Sequence, residues 1–258
     1  MNLIKLLAFG LVGGAAVSAH ALDVIVKIEN ISPQNGTFLT PLWFGFHDGG
    51  FDMFNTGSAA SAGLERIAED GNAAVLGGEF SAAGFGTVSG VLNGIGPIGP
   101  GATTQRVVTI DESLASSRYF SWASMILPSN DAFVANDNAR AHRLFNEAGQ
   151  FVGMDFIVLG SQVMDAGTEV NDEIPMNTAF LGQMSPNTGT PEGGVVHFHP
   201  GFIAGGNILG NSMFSGADFA AANYQVARIS VEAVPEPGAM MVLGLFGAAL
   251  ARKKMARK

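Results

Sequence analysis

Three groups of carboxylates stand directly after stretches that read as strands. Asp111 and Glu112 follow Gln105–Ile110. Asp131 closes Pro128-Ser129-Asn130-Asp131 after Arg118–Leu127. Asp165-Ala166-Gly167-Thr168-Glu169 follows Phe156–Val163. Carboxylate oxygens are what a hard divalent cation takes, Ca2+ at about 2.3–2.6 Å. Strands of a sandwich end at two rims, so acids far apart in sequence can meet at one of them. The same residues also suit solvated loops and Asx turns, in which an aspartate accepts from the backbone two residues on. Spacing alone leaves both readings open.

A second chemistry is metal binding by histidine. His197-Phe198-His199 follows Gly193-Gly194. Residues two apart on a strand face the same side, so two imidazoles there can hold one metal. The pattern resembles the His-x-His of cupins. That pattern also wants a glutamate a few residues later, and Pro200–Ala204 has none. A pair of strand-surface histidines is the alternative. His47-Asp48 offers a base and its partner, or a hydrogen-bonded structural pair. No Gly-x-Ser-x-Gly nucleophile turn accompanies it.

The elements that must carry these groups are mostly strands. Asp23–Ile28 alternates, with Val24, Val26 and Ile28 on one face, which predicts a half-buried strand. Thr37–Phe46, Gln105–Ile110, Arg118–Leu127, Phe156–Val163, Val195–Phe198 and Tyr224–Val231 complete the set. In Arg118–Leu127, Phe120, Trp122, Ser124 and Ile126 share a face. Phe145–Phe151 reads as a hairpin turn, with a helix over Ala139–Ala148 as the competing assignment. One short helix is expected at Ser58–Asp70. Leu64, Ile67 and Ala68 recur there at helical spacing, Ser58 or Ser61 can cap the start, and Gly71 can stop it. Phe44, Phe46, Phe51, Met53 and Phe54 are expected in the core, since large apolar side chains are usually buried. Many strands, one or two short helices and Gly/Pro turns give an all-β antiparallel sandwich.

The two ends read differently from the middle. Lys5, an apolar run from Leu6 to Val17, and Ala19-His20-Ala21 form a secretory signal peptide over residues 1–21, with a mature start at Leu22. Residues 233–258 hold Pro235-Glu236-Pro237, an uncharged stretch over Gly238–Ala251 and the basic cluster Arg252–Lys258. A basic end of this kind stays on the cytoplasmic side of a membrane. That order resembles the PEP-CTERM sorting signal of Gram-negative bacteria. The resemblance implies transient residence in the inner membrane, recognition by an exosortase-type processing enzyme, and delivery to the cell surface or extracellular matrix.

Six of the 13 Lys and Arg lie in these ends, leaving residues 22–237 with 22 acids against 7 bases, a formal charge of −15. Such a surface repels nucleic acid. There is no cysteine, so no disulfide stabilises the fold.

Several segments together resemble a spondin domain, the kind found at the N-terminal end of F-spondin and in mindin. They are His47-Asp48-Gly49, Gly57–Ser61, Leu64–Asn72, Met125–Phe133 and Asp165–Glu169, in that order. The resemblance covers roughly residues 24–232, within a domain at 22–232. It implies a C2-like β-sandwich with a divalent-cation site, taken to be Ca2+. By the resemblance, the ligands are Glu112 (or Asp111 if the register slips), Asp131 and Asp165. It also implies a non-enzymatic role in adhesion or recognition, with an extracellular polysaccharide or a surface protein as partner. A metal-dependent envelope enzyme using His197 and His199 is the alternative. The chain departs from the animal pattern in having Ala132 where tryptophan stands and in lacking its cysteines.

Overall fold

A computed structural model describes residues 20–235. Two antiparallel sheets face each other. The four-stranded sheet has β1 (Ala21–Asn30) and β11 (Gln225–Ala233) at its centre, with β5 (Thr103–Asp111) and β8 (Met154–Leu159) outside. The second sheet runs β10 (His197–Phe198), β9 (Met164–Asp165), β7 (Ala132–Ala135), β6 (Tyr119–Leu127), β3 (Leu42–His47), β4 (Gly86–Leu92). A short β2 (Phe38–Leu39) pairs with the end of β6.

Burial explains the two kinds of strand pattern. Val24, Val26 and Ile28 of β1 are fully buried, while Ile25, Lys27 and Glu29 are only partly so and Asp23 is exposed. One face of this strand packs inward, as its alternation predicts. In β3 every residue is buried, and in β6 all but Tyr119. The second sheet is covered on both faces. Toward the first sheet, Phe44, Phe46, Phe120, Trp122 and Ile126 join Val24, Val26, Ile229 and Val231 in one cluster. On its other face Trp43, Ala123 and Phe133 pack with Phe51, Phe54, Leu64, Ile67, Leu76 and Phe80. Strands buried on both faces lose their polar alternation. The expectation that Phe44, Phe46, Phe51, Met53 and Phe54 are core holds: none is more than 6% exposed.

The outer cover is helical. α1 (Ala62–Asp70) begins where Ser61 Oγ accepts from the Leu64 N–H, and it ends at Gly71, whose φ of 64° is left-handed. The capped start lies three residues inside the Ser58 boundary. A second helix, α2 (Ala74–Ala83), follows at once. The sequence hides it, because Gly77 and Gly78 sit mid-helix where glycine is unfavourable. Its packing supplies what propensity lacks: Leu76 and Phe80 are buried against Trp43 and Phe51. The Ala139–Ala148 helix does not form. Phe145 bridges Phe151. The Asn146 N–H donates to the Gln150 carbonyl, the Asn146 amide donates to Gln150 Oε1, and the Gln150 N–H donates to Asn146 Oδ1.

β1 and β11 run antiparallel, Val24 opposite Ala233, and the Val234 N–H reaches the Asp23 carbonyl. The described chain therefore enters and leaves at the same end of the four-stranded sheet. The residues expected to form a signal peptide, before His20, and a sorting tail, after Pro235, lie outside the described residues. No helix among the described residues is long and apolar enough to cross a membrane.

A buried carboxylate site between β7 and β9

β6 ends at Leu127, a cis peptide leads into Pro128, and the chain turns back into β7. Ser129 holds that turn: its hydroxyl donates to the Ile126 carbonyl at 2.7 Å and accepts from the Ala132 N–H at 3.1 Å. Asp131 is thereby pinned at the start of β7 with no exposed surface. Its Oδ2 accepts three hydrogen bonds, from the Thr168 N–H (2.8 Å), the Thr168 hydroxyl (3.2 Å) and the Glu169 N–H (3.1 Å). Its Oδ1 is buried without a partner.

Asp165 comes from the neighbouring strand. β7 pairs with β9 so that Ala132 stands opposite Asp165. Asp165 is also fully buried. Oδ1 accepts from the Gly167 N–H at 2.7 Å, an Asx turn, and Oδ2 accepts from the Asn171 amide. Only glycine fits at 167: φ is +68°, and a Cβ would sit 2.6 Å from the backbone of Val195.

The electrostatics follow from burial that hydrogen bonds only partly offset. Desolvation first, then the Asp165 charge, pushes the Asp131 carboxyl up to about 6. Glu169, next along the loop and 3% exposed, goes to about 7 through burial and then the nearby Glu69. Its Oε1 accepts from the Gly189 N–H at 3.0 Å, and its Oε2 is buried without a partner. Burial likewise raises Glu69, on α1. The charge of Asp165 thus raises Asp131, and those of Glu69 and Asp131 raise Glu169. Among the described residues, no three His, Asp, Glu or Cys side chains are already grouped as metal ligands.

Asp111 and Glu112 are elsewhere. They end β5 in the other sheet, where Asp111 accepts from the N–H and hydroxyl of Ser113, which hold its carboxyl below the usual range. Glu112 is half-exposed, with His20 3.7 Å away. The chain passes from there through a 3-10 turn at Ala115–Ser117, packed on β3 and β4, to the first residue of β6. Asp131 follows the last. Nine residues of strand at about 3.3 Å each put the two groups roughly 30 Å apart. The structure brings Asp131 and Asp165 together and does not bring Asp111 or Glu112 to them. Glu169 is the next acid to this pair: its N–H reaches Asp131 Oδ2, while its own carboxylate accepts from Gly189. Its signal was its spacing, four residues after Asp165 in the same acidic loop.

The histidines are split in role. His197 stands opposite Asp165 across β9 and β10, with Nε2 3.7 Å from Asp165 Oδ2. Its Nδ1–H donates to the Val195 carbonyl. His199 is buried and fully engaged: Nδ1 accepts from the Gly201 N–H, so Nε2 carries the hydrogen that goes to Asn171. Burial drops its pKa to about 4. The pair does not present two free nitrogens to one point. His47 is oriented in the same way. Gly49 donates to Nδ1, so Nε2–H donates to the Ser121 hydroxyl at 2.9 Å, and Asp48 instead accepts from the Gly50 N–H.

The family model described as Spondin_N matches residues 32–173, more than half of the chain. The chain belongs to that family, and its domain is of an extracellular type. The matched region runs from the link after β1 through both aspartates and Glu169 to Glu173. β1 and β11, which lie outside it, complete the sandwich. No curated protein matches the chain.

Proposed function

We propose that this is an exported, non-enzymatic surface or matrix domain that binds other molecules and holds a divalent cation between β7 and β9. Asp131 and Asp165 would hold it, with Glu169 beside them. An oxygen-only donor set of this kind suits Ca2+. The observation that carries the reading is Asp131: a fully buried carboxylate with one oxygen saturated, the other without a partner, and a second buried carboxylate as its neighbour. A bound cation would offset that repulsion and draw the loop around Gly167 onto the strand ends. This is a structural task, and the partner would be an extracellular polysaccharide or a surface protein. The competing reading, a metal-dependent enzyme on His197 and His199, is disfavoured by the engagement of both His199 nitrogens. The terminal pattern supports export through a signal peptide and sorting by an exosortase-type enzyme.

Thermal melting tests the cation. A ligand that binds only the folded state stabilises it by RT ln(1 + [L]/Kd), about 2.7 kcal/mol at a hundredfold excess over Kd. Millimolar Ca2+ should raise Tm and a chelator should lower it. A melting curve indifferent to both would overturn the proposal.

A further inference from the structure

Sheet edges expose unpaired N–H and C=O groups. Proteins protect them with short strands, bulges, proline, lysine or inward charges. Three of the four outer strands here are protected in this way. β10 has two residues. β8 has six, with a register shift opposite Gln225/Ala227 and Asp155 tied to Arg228. β4 has seven, with a shift at Phe46/His47 and glycines at 86 and 90.

β5 is different. It pairs with β1 over nine residues without a break, from Ala21 opposite Asp111 to Glu29 opposite Thr103. Its other side has no strand partner among the described residues. The sequence Thr-Thr-Gln-Arg-Val-Val-Thr-Ile-Asp has no proline, lysine or glycine and is rich in strand formers. Val107 is 56% exposed. Of the protective devices β5 has one, the inward-side charge of Arg106, and that head is folded away over Gly90 of β4.

We propose that β5 pairs antiparallel with β5 of a second copy of this chain, about a two-fold axis through Val107. The two four-stranded sheets then become one continuous sheet. The strand is self-complementary in that register. Thr103 faces Asp111, Thr104 faces Ile110, Gln105 faces Thr109, Arg106 faces Val108, and Val107 faces its twin. No like charges stand directly opposite, a pairing that would be destabilising. Val107 already sits beside Ile25 of β1, so the join makes an apolar row of Ile25, Val107, Val107 and Ile25. This is an isologous contact that closes at two copies. The strongly acidic domains repel at a distance, so added salt should tighten the dimer. The contact is separate from the cation site and does not depend on it.

The chain has no cysteine, which makes the test clean. In the full-length chain, Val107→Cys places two thiols opposite each other at the axis, within the roughly 4.4–6.8 Å Cα separation that a disulfide spans. Mild oxidation should give a covalent dimer. Gln105→Cys, whose partner would be Thr109, should not cross-link. Sedimentation equilibrium should show a wild-type dimer, with or without chelator. Val107→Lys, at an exposed position, should raise the dissociation constant at least about tenfold by setting two ammonium groups face to face. A wild type that stays monomeric at high concentration, or cross-linking through Gln105→Cys rather than Val107→Cys, would overturn the pairing.

Discussion

Asp131 immediately precedes Ala132, the strand partner of Asp165, and the two aspartates are equally buried, yet only Asp165 has a hydrogen-bond donor for each of its oxygens. Asp131 is therefore the member whose charge costs most in the absence of a cation. Asp131→Asn keeps an acceptor for the Thr168 and Glu169 N–H groups and replaces the charged, unpartnered oxygen with an amide. Without calcium it should melt higher than wild type at pH 7, and its response to calcium should vanish. Asp165→Asn should also lose the response, while His197→Ala and Glu112→Gln should keep it. A calcium response lost in His197→Ala but kept in Asp165→Asn would move the site to the histidines.

The second prediction concerns α1. Leu64 and Ile67 are fully buried between the helix and the second sheet. Leu64→Ala should cost roughly 2–5 kcal/mol in denaturant unfolding, for lost burial and the cavity left behind. A change under about half a kcal/mol would place Leu64 outside the core.

The third concerns pH. His142 accepts from the Trp122 indole N–H at 3.0 Å and stacks on Phe156 with ring centres 4.2 Å apart. Burial lowers its pKa from 6.5 to about 4, and the same holds for His47. The unfolded chain thus takes up protons first, and stability present above about pH 6.5 is lost as pH falls toward 4. Asp131 and Glu169, raised in the folded state, oppose this by favouring the fold as pH falls. Substitution isolates one group: His142→Gln should flatten the acid limb by up to about 1.4 kcal/mol per pH unit, the weight of a single proton. An unchanged limb would mean that His142 titrates alike in both states.

The fourth concerns processing. Protein recovered from the surface of its native host should begin near Leu22 and lack Arg252–Lys258. Intact-mass measurement decides it, and an exported form that retains the basic tail would defeat the sorting proposal.

Much of the fold was legible because its signals are local. The alternation of β1 records one wet face and one dry face. Ser61 and Gly71 mark the ends of α1 by their capping chemistry. α2 was illegible because its glycines argue against a helix and only tertiary contacts with Trp43 and Phe51 argue for one. The site divides in the same way. The motifs around Asp131 and Asp165 can be found in sequence, and their order led to both residues. That Asp111 and Glu112 lie apart from them depends on which rim each strand ends at. That is set by strand direction and pairing across the whole sheet, and the sequence around Glu112 carries no trace of it.

The pairing of β1 with β11 fixes an orientation as well as a sheet. Val24 and Ala233 place the two exits from the domain next to each other, at the pole that also holds Asp111 and Glu112. The aspartates lie at the far pole, where β8 ends and β11 begins. If either end of the chain were held at a surface, the domain would stand on its exits like a lamp on its stem. The Asp131–Asp165 loops would then point away from that surface, toward whatever approaches from outside.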